Sequence, residues 1–220
     1  MSSTISSSLA RKYAMAISGL FLVVFLFQHF TINLTSVISE TLFNQLSHFM
    51  GNNPLIQFIL QPILIFGVIF HFVMGFVLEI KNRQSRSVKY ASNNGAANST
   101  WMSRNMILSG AVVLSFLGLH FYDFWIPEMN YKYVEVLPLN PDRYFEETIH
   151  KFESPIRVSL YVISFVFLAL HLMHGFASSF QSLGANNKYT RAIKGATTAF
   201  AVGIPAGFIF IALFHHLTAF

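Results

Sequence analysis

Five long apolar stretches constrain this chain more than any other feature of its sequence. A helix needs about 20 mainly apolar residues to cross a membrane, and five stretches of that kind alternate with polar connections. They are residues 15–34, 55–80, 106–126, 155–180 and 195–217. Charged side chains make up only 10% of the chain, whereas soluble domains contain about 25%. The sequence therefore predicts an all-α integral membrane protein in which residues 1–220 form a single membrane domain.

The charges of the connections indicate how the spans are oriented. Lys and Arg concentrate in the cytoplasmic loops of membrane proteins. If the N-terminus is cytoplasmic, ten of the 14 Lys and Arg residues lie on that side, namely Arg11, Lys12, Lys81, Arg83, Arg86, Lys89, Arg104, Lys188, Arg191 and Lys194. Glu79 is the one acidic residue there. We therefore predict an N-in, C-out topology, which accounts for the net charge of +5 without a nucleic-acid partner.

Missing residue types exclude several kinds of chemistry. The chain has no cysteine, which excludes disulfides, thiolate metal sites, iron–sulfur ligation and covalent haem attachment through C-x-x-C-H. It also contains no Gly-rich phosphate loop, no H-E-x-x-H motif and no serine-nucleophile motif. We therefore do not expect this chain itself to bind and oxidise a polar carboxylic acid.

Two connections on the predicted outer side have helical patterns. Residues 36–50 alternate apolar and polar side chains and predict an amphipathic helix on the outer surface. The longer outer loop, residues 127–154, is expected to contain a short surface helix over residues 142–151. His215 and His216, at the outer end of the fifth span, are expected to be solvated.

Histidines within the spans are the strongest functional signal. Ionisable residues are costly inside a membrane and point to function, and each of the first four spans carries a histidine in its second half. Neighbouring spans run in opposite directions, so His29 and His120 lie toward the outer face and His71 and His174 toward the inner face. Two pairs at two depths predict two stacked haems b, each held by two imidazoles without a covalent link.

The fourth span offers two histidines for the inner pair. His171 and His174 lie about 60° apart around the helix, so either could bind the iron. His174 is preferred because Gly175 beside it leaves room for a flat macrocycle. His171 is the alternative ligand, or else a neighbour of the ligand on the quinone side.

A weak internal repeat supports the arrangement at two depths. Ser18-Gly19 begins eleven residues before His29, and Ser109-Gly110 begins eleven residues before His120. Eleven residues make about three helical turns, a rise of about 16 Å, and return to nearly the same face. Each helix would therefore offer a histidine to the outer haem and a serine and a glycine to the inner one. The alternative for any single histidine is a plain hydrogen bond to a neighbouring helix.

In their order and spacing, the histidines and serine–glycine dipeptides of the spans resemble those of the dihaem cytochrome b membrane subunit of succinate:quinone oxidoreductases. This family comprises the succinate dehydrogenases and the fumarate reductases. The similarity is greatest to the five-span, single-polypeptide branch found in Bacteroidetes. It runs from about Arg11 to Leu217. The segments that carry it are Ser18 through His29, Ile69 to His71, Ser109 through His120, and His174 to Phe176.

The resemblance implies a cofactor set and partners. The first four spans would form a four-helix bundle around two haems, with His29 and His120 on the outer haem and His71 and His174 on the inner one. The chain would lie in the bacterial cytoplasmic membrane and dock on its cytoplasmic side to an iron–sulfur subunit, which carries the flavoprotein subunit. It would pass electrons from that iron–sulfur subunit to a quinone.

Quinone reduction is expected near the outer haem. Electrons that move outward run down the electrical gradient of an inside-negative membrane, which would assist the reduction of a low-potential menaquinone by succinate. His48 lies on the predicted outer surface helix and is the candidate proton shuttle, because histidine side chains exchange protons near neutral pH. A solvated surface histidine is the alternative.

Two other functions fit the same sequence. One is the equivalent subunit of a quinol:fumarate reductase, or of another dihaem membrane oxidoreductase such as a hydrogenase or a formate dehydrogenase. The other belongs to a different class and is a haem-free transporter or assembly protein whose spans make polar contacts. A haem b spectrum of the purified protein distinguishes the second function from all the others.

Overall fold

The computed structural model describes residues 8–84 and 104–218, and every regular element in them is helical. Seven helices of nine or more residues are numbered here in chain order. They are α1 (Ser8–Ile38), α2 (Glu40–Asn52), α3 (Gln61–Gln84), α4 (Met106–His120), α5 (Tyr144–Phe152), α6 (Pro155–Ser182) and α7 (Thr190–Thr218).

Five helical segments are long and apolar enough to cross a membrane, as expected of a multi-pass membrane protein. In chain order, spans 1 to 5 are Leu9–Ile38, Ile56–Gln84, Met106–Val134, Pro155–Ser182 and Thr190–Thr218. Each overlaps a stretch predicted from the sequence, so the predicted set of five is confirmed. The helices extend beyond the apolar stretches because backbone hydrogen bonds continue through polar residues that a membrane core would exclude.

Span 3 shows the largest difference from the prediction. It was expected to end at Ile126 and to lead into a loop, but the chain remains helical to Val134. After α4, a π-helical turn (Phe121–Trp125) is followed by a short α-helix (Ile126–Met129) and a second π-helical turn (Asn130–Val134). Glu128 and Lys132 lie one turn apart on this extension and form an ion pair of 2.5 Å, which supports the helix.

Two short helices pack at the end of the bundle where span 1 finishes. α2 begins after Ser39, whose hydroxyl accepts a hydrogen bond from the Leu42 N–H. It runs back along α1 until the Gln28 amide contacts the Met50 sulfur at 3.4 Å. α5 packs against α2 and the end of span 5. These helices correspond to the two surface helices predicted over residues 36–50 and 142–151, although residues 36–38 belong to α1.

The first four spans surround a common axis. Span 1 packs against spans 2 and 4, and span 3 packs against span 4 and, less extensively, against span 2. Spans 1 and 3 consequently face each other diagonally, as do spans 2 and 4. Span 5 lies outside this group and packs along spans 4 and 1.

The most deeply buried apolar side chains lie where span 5 meets span 4, rather than between the first four spans. This core contains Phe152, Val158, Tyr161, Phe165, Ile204, Phe208, Ile211 and Ala212. Gly207 allows the close approach of span 5 to span 1, because a Cβ there would overlap the Phe30 ring. α3 has no fully buried residue. The histidines of the first four spans are half-buried.

An ion pair lies near the end of span 2, where the predicted cytoplasmic loop begins. Arg83 contacts Glu79 at 2.6 Å, one helical turn away. Arg86 and Lys89, two of the basic residues behind the topology prediction, lie outside the described residues. The side of the membrane on which each end of the bundle lies stays a prediction.

Candidate functional site

Four histidines meet in two pairs on the axis of the first four spans. His29 of span 1 faces His120 of span 3, with ring centroids 5.7 Å apart and ring planes at 83°. His71 of span 2 faces His171 of span 4, with ring centroids 6.4 Å apart and ring planes at 72°. Each pair joins two diagonally opposed spans, so the two pairs hold all four spans around one axis.

The spacing within each pair suits two imidazoles that bind one metal ion from opposite sides. A bond from a metal to an imidazole nitrogen is about 2 Å long, and the ring centroid lies about 1 Å beyond the nitrogen. Two such rings across one metal therefore have centroids about 6 Å apart. The observed separations of 5.7 and 6.4 Å match this value.

Ser18 fixes the protonation of His71. The Ser18 hydroxyl lies 2.9 Å from the Met15 carbonyl oxygen and 3.0 Å from Nδ1 of His71. A hydroxyl has one hydrogen, and the carbonyl oxygen can only accept it. Towards His71 the serine oxygen is therefore the acceptor, and Nδ1 carries the proton. This leaves Nε2 of His71 with a free lone pair, as metal binding requires.

Ser109 repeats this arrangement on the other half of the bundle. Its hydroxyl donates to the Met106 carbonyl oxygen at 3.0 Å and accepts from Nδ1 of His171 at 3.2 Å. His71 and His171 thus have the same tautomer, and each keeps its Nε2 free. Because both are held by serines, we call them the serine-lined pair.

Ring geometry and hydrogen bonding both select His171 over His174. His171 faces His71 and is held by Ser109, whereas His174 makes no ring contact with His71 in the part of the chain that the structure describes. Gly175, the reason for preferring His174, faces the Met106 side chain at 3.6 Å. The described geometry therefore favours the alternative that the sequence left open, a pair of His71 and His171, and the identity of the ligand on span 4 stays a prediction. A rotation of about 60° around span 4, which sequence spacing cannot determine, decides between the two residues.

Gly19 and Gly110 stand directly beside the serine-lined pair. A Cβ at Gly19 would lie 3.3 Å from Cε1 of His71, and a Cβ at Gly110 would lie 3.6 Å from Cε1 of His171. The serine–glycine dipeptides predicted from the internal repeat thus contact the imidazoles themselves. The serine supplies an acceptor, and the glycine supplies the space in which the ring lies.

His29 and His120 are held mainly by aromatic rings, and we call them the aromatic-lined pair. Phe25 stacks on His29 with centroids 5.4 Å apart, and the Asn33 amide donates to the His29 carbonyl oxygen at 2.8 Å. Around His120 stand Phe116, Phe124 and Tyr161. Nδ1 of His120 is buried, and no atom of the described residues hydrogen-bonds to it. The Asn33 amide also lies 3.4 Å from Nε2 of His29, and no serine of the described residues hydrogen-bonds to either ring.

A buried carboxylate that the sequence analysis did not single out lies one turn beyond His120. Asp123 is 1% exposed and belongs to the π-helical turn Phe121–Trp125. Tyr161 donates to its Oδ2 at 2.9 Å, and Nε of Arg157 lies 3.2 Å from the same oxygen. Both partners come from span 4, so no pattern local to span 3 could have identified the group.

A charged cluster, which we call the polar cap, joins the end of span 3 to α5. Glu128 binds Lys132 at 2.5 Å and also pairs with Arg143, whose other partner is Glu147 at 2.8 Å. Burial alone would lower the pKa of Arg143, but hydrogen bonds and charges from Glu147 and Glu128 outweigh it and raise that pKa above its ordinary value. The cap therefore keeps its central cation at any physiological pH.

His48 of α2 lies beside the polar cap and is half-buried rather than fully solvated. The Asn52 amide is 3.1 Å from Nδ1 of His48 and donates to the Tyr144 oxygen at 3.2 Å. The Tyr144 hydroxyl lies 3.5 Å from Glu128, and burial together with the Glu128 charge raises the pKa of Tyr144. A line of polar groups thus connects His48 to Glu128.

His215 differs from its predicted environment. It was expected to be solvated but is 1% exposed, between the rings of Phe145 and Phe152. Ser36 donates to the Asn33 carbonyl oxygen at 2.7 Å and accepts from Nε2 of His215 at 2.8 Å. Its Nε2 is therefore occupied by a proton and a partner, which suits a helix contact and not a metal ligand.

No protein-family model matches this chain, and no curated protein or solved structure matches it. The geometry of the two histidine pairs is therefore the main indication of function.

Proposed function

We propose that this chain is the dihaem membrane subunit of a succinate:quinone oxidoreductase, in which it carries electrons between an iron–sulfur subunit and a quinone. The observation that carries the proposal is the serine-lined pair. Two imidazoles from opposite spans face each other 6.4 Å apart, and each has its Nδ1 proton held by a serine. Both therefore present an unprotonated Nε2, which is the state that binds iron.

The residues at each depth have distinct tasks in this proposal. His71 and His171 would hold one haem b, and His29 and His120 the other. A bound haem b would supply a one-electron donor and acceptor at each depth. Ser18 and Ser109 orient the imidazoles of the serine-lined pair, and Gly19 and Gly110 give them room. Phe25, Phe116 and Phe124 exclude water from the aromatic-lined pair.

The separation of the two depths supports a role in transfer across the membrane. Ser18 contacts the serine-lined pair and lies eleven residues before His29 on the same helix, a rise of about 16 Å. That is about half of the hydrocarbon core of a bilayer, which is about 30 Å thick. With an N-in topology, the serine-lined pair is the one nearer the cytoplasmic iron–sulfur and flavoprotein subunits.

The polar cap supports a quinone site on the same side as the aromatic-lined pair. Met50, at the end of α2, contacts Gln28, the residue before His29. The line of polar groups from His48 through Asn52 and Tyr144 therefore lies beside span 1 near the depth of His29. In this proposal His48 takes protons from the outer side and passes them towards a bound menaquinone.

Two measurements on the complex purified in detergent test the proposal. The pyridine haemochrome assay is expected to give two haems b per chain, and succinate is expected to reduce a menaquinone analogue. A protein without a haem b spectrum would contradict the proposal and favour a transporter or assembly protein. Two haems without succinate oxidation would leave the equivalent subunit of another oxidoreductase.

The role of His48 is tested by a matched pair of variants. His48→Ala should slow menaquinone reduction while both haems are retained. The control is His150→Ala, because His150 is an exposed histidine that contacts only Glu153, at 3.0 Å, among the described polar groups. Equal activity of the two variants would remove the proposed role of His48 and leave the haem assignment intact.

A further inference from the structure

The buried carboxylate of Asp123 is only half satisfied. Both of its partners, Tyr161 and Arg157, contact Oδ2, while Oδ1 is buried and has no hydrogen-bond partner among the described residues. Leaving a buried charged oxygen unpaired is costly. An ion pair that served only to join spans 3 and 4 would gain stability by using both oxygens, so this arrangement indicates another use of the carboxylate.

A second buried atom without a partner lies three residues earlier on the same helix, and the two atoms do not hydrogen-bond to each other. Nδ1 of His120 is buried without a partner in the described chain, and His120 is three residues before Asp123, almost one helical turn away. A π-helical turn begins directly after His120 and contains Asp123, and such turns are frequent at functional sites. One unpaired ring nitrogen and one unpaired carboxylate oxygen thus lie on the same turn.

Metal-binding histidines usually donate their other ring N–H to a carboxylate, a carbonyl oxygen or a water molecule. In the serine-lined pair, Ser18 and Ser109 are the acceptors. In the aromatic-lined pair, no serine of the described residues hydrogen-bonds to Nδ1 of His120, and Asp123 is the acidic residue on the same helical turn. A carboxylate in this role makes the imidazole more electron-rich and places a negative charge near the metal.

We propose that Asp123 is a positioning residue for His120, and that Asp123 and Arg157 together set the reduction potential of the haem held by the aromatic-lined pair. The inference rests on the proposed function, because it presupposes a haem at that depth. The two charges act in opposite directions. The carboxylate is fully buried and the guanidinium is 29% exposed, so the carboxylate is screened less by water and dominates.

The sign of each effect follows from the charge that remains. Asp123→Asn removes the negative charge and leaves Arg157, which stabilises the reduced haem and raises its midpoint potential. Arg157→Gln leaves the carboxylate, which lowers the potential. The double variant should return towards the wild-type value. For Asp123→Asn we expect a change of about tenfold in the one-electron reduction equilibrium, or about 59 mV.

Spectroelectrochemical titration of the purified complex measures both haem potentials in each variant. The haem of the aromatic-lined pair is identified as the one lost in His29→Ala. Asp142→Asn is the matched control, since it removes an exposed carboxylate and should shift neither potential. A shift confined to this haem, upward for Asp123→Asn and downward for Arg157→Gln, supports the inference.

Other outcomes overturn it. An unchanged potential in Asp123→Asn with both haems present, or an equal shift in Asp142→Asn, contradicts the assigned role. If Asp123→Asn fails to retain both haems, the test rests on Arg157→Gln. An unchanged midpoint potential of the aromatic-lined haem in that variant overturns the inference. A wild-type complex without haem overturns the proposed function itself, which is a different result from two haems whose potentials ignore Asp123.

Discussion

The two histidine pairs differ in how their imidazoles are held. In the serine-lined pair, each Nδ1 proton is bonded to a serine whose own hydrogen is already committed to a backbone carbonyl. In the aromatic-lined pair, the histidines pack against aromatic rings, Nε2 of His29 has one contact of 3.4 Å with the Asn33 amide, and Nδ1 of His120 lacks a partner in the described chain. The first pair is therefore preorganised for a metal by hydrogen bonds, whereas the second is shaped mainly by packing.

Removal of a ligand should break one pair and spare the other. His71→Ala or His171→Ala should lower the haem content from two to one per chain, and so should His29→Ala or His120→Ala, because each haem would lose one of its two iron ligands. His174→Ala should retain both haems. The pyridine haemochrome assay of each purified variant measures this. Two haems in His171→Ala, with one in His174→Ala, would restore the assignment that sequence spacing favoured.

Crowding the serine-lined pair should have a somewhat smaller effect. Gly19→Val would push against the His71 ring, since even a Cβ lies 3.3 Å from it, and should reduce the occupancy of that haem while the other stays bound. Gly203→Val is the control, because Gly203 is an exposed helix residue with no atom within 4 Å of its Cβ position. The pyridine haemochrome assay measures the haem content per chain, and the two variants are compared at equal yield of purified protein. Equal loss in both variants would point to general destabilisation.

The smallest expected effect comes from removing the hydrogen bond between Ser18 and His71. Ser18→Ala frees the Nδ1 proton of His71, and loss of such a partner typically costs about 10- to 100-fold in metal affinity. Haem should therefore leave the serine-lined pair first, whereas in the wild-type protein it should leave the aromatic-lined pair first. Transfer of haem to an excess of apomyoglobin measures the rate at which haem dissociates from each pair. Ser115→Ala is the control, because Ser115 is exposed and its described hydrogen bond is to Ala111 of its own helix.

The sequence predicted these two pairs to different degrees. Hydropathy located the spans, and the eleven-residue repeat drew attention to Ser18 and Ser109, which contact His71 and His171 in the structure. The rotation of span 4 was not predictable, because His171 and His174 differ by less than a turn and only packing selects one of them. Asp123 and His215 depend on partners from other spans, so no local pattern could reveal that they are buried.

The length of span 3 has a consequence for local stability. Its 29 residues extend about 40 Å, which exceeds the hydrocarbon thickness of about 30 Å, so in a membrane we expect its polar last turns to lie beyond the acyl chains. Arg143, the residue before α5, pairs with Glu128 of span 3 and with Glu147 of α5 and so joins the two helices, and its raised pKa keeps the guanidinium charged across the physiological pH range. Amide hydrogens of residues 128–134 should therefore exchange slowly with solvent deuterium, more like those of a membrane span than those of a surface loop.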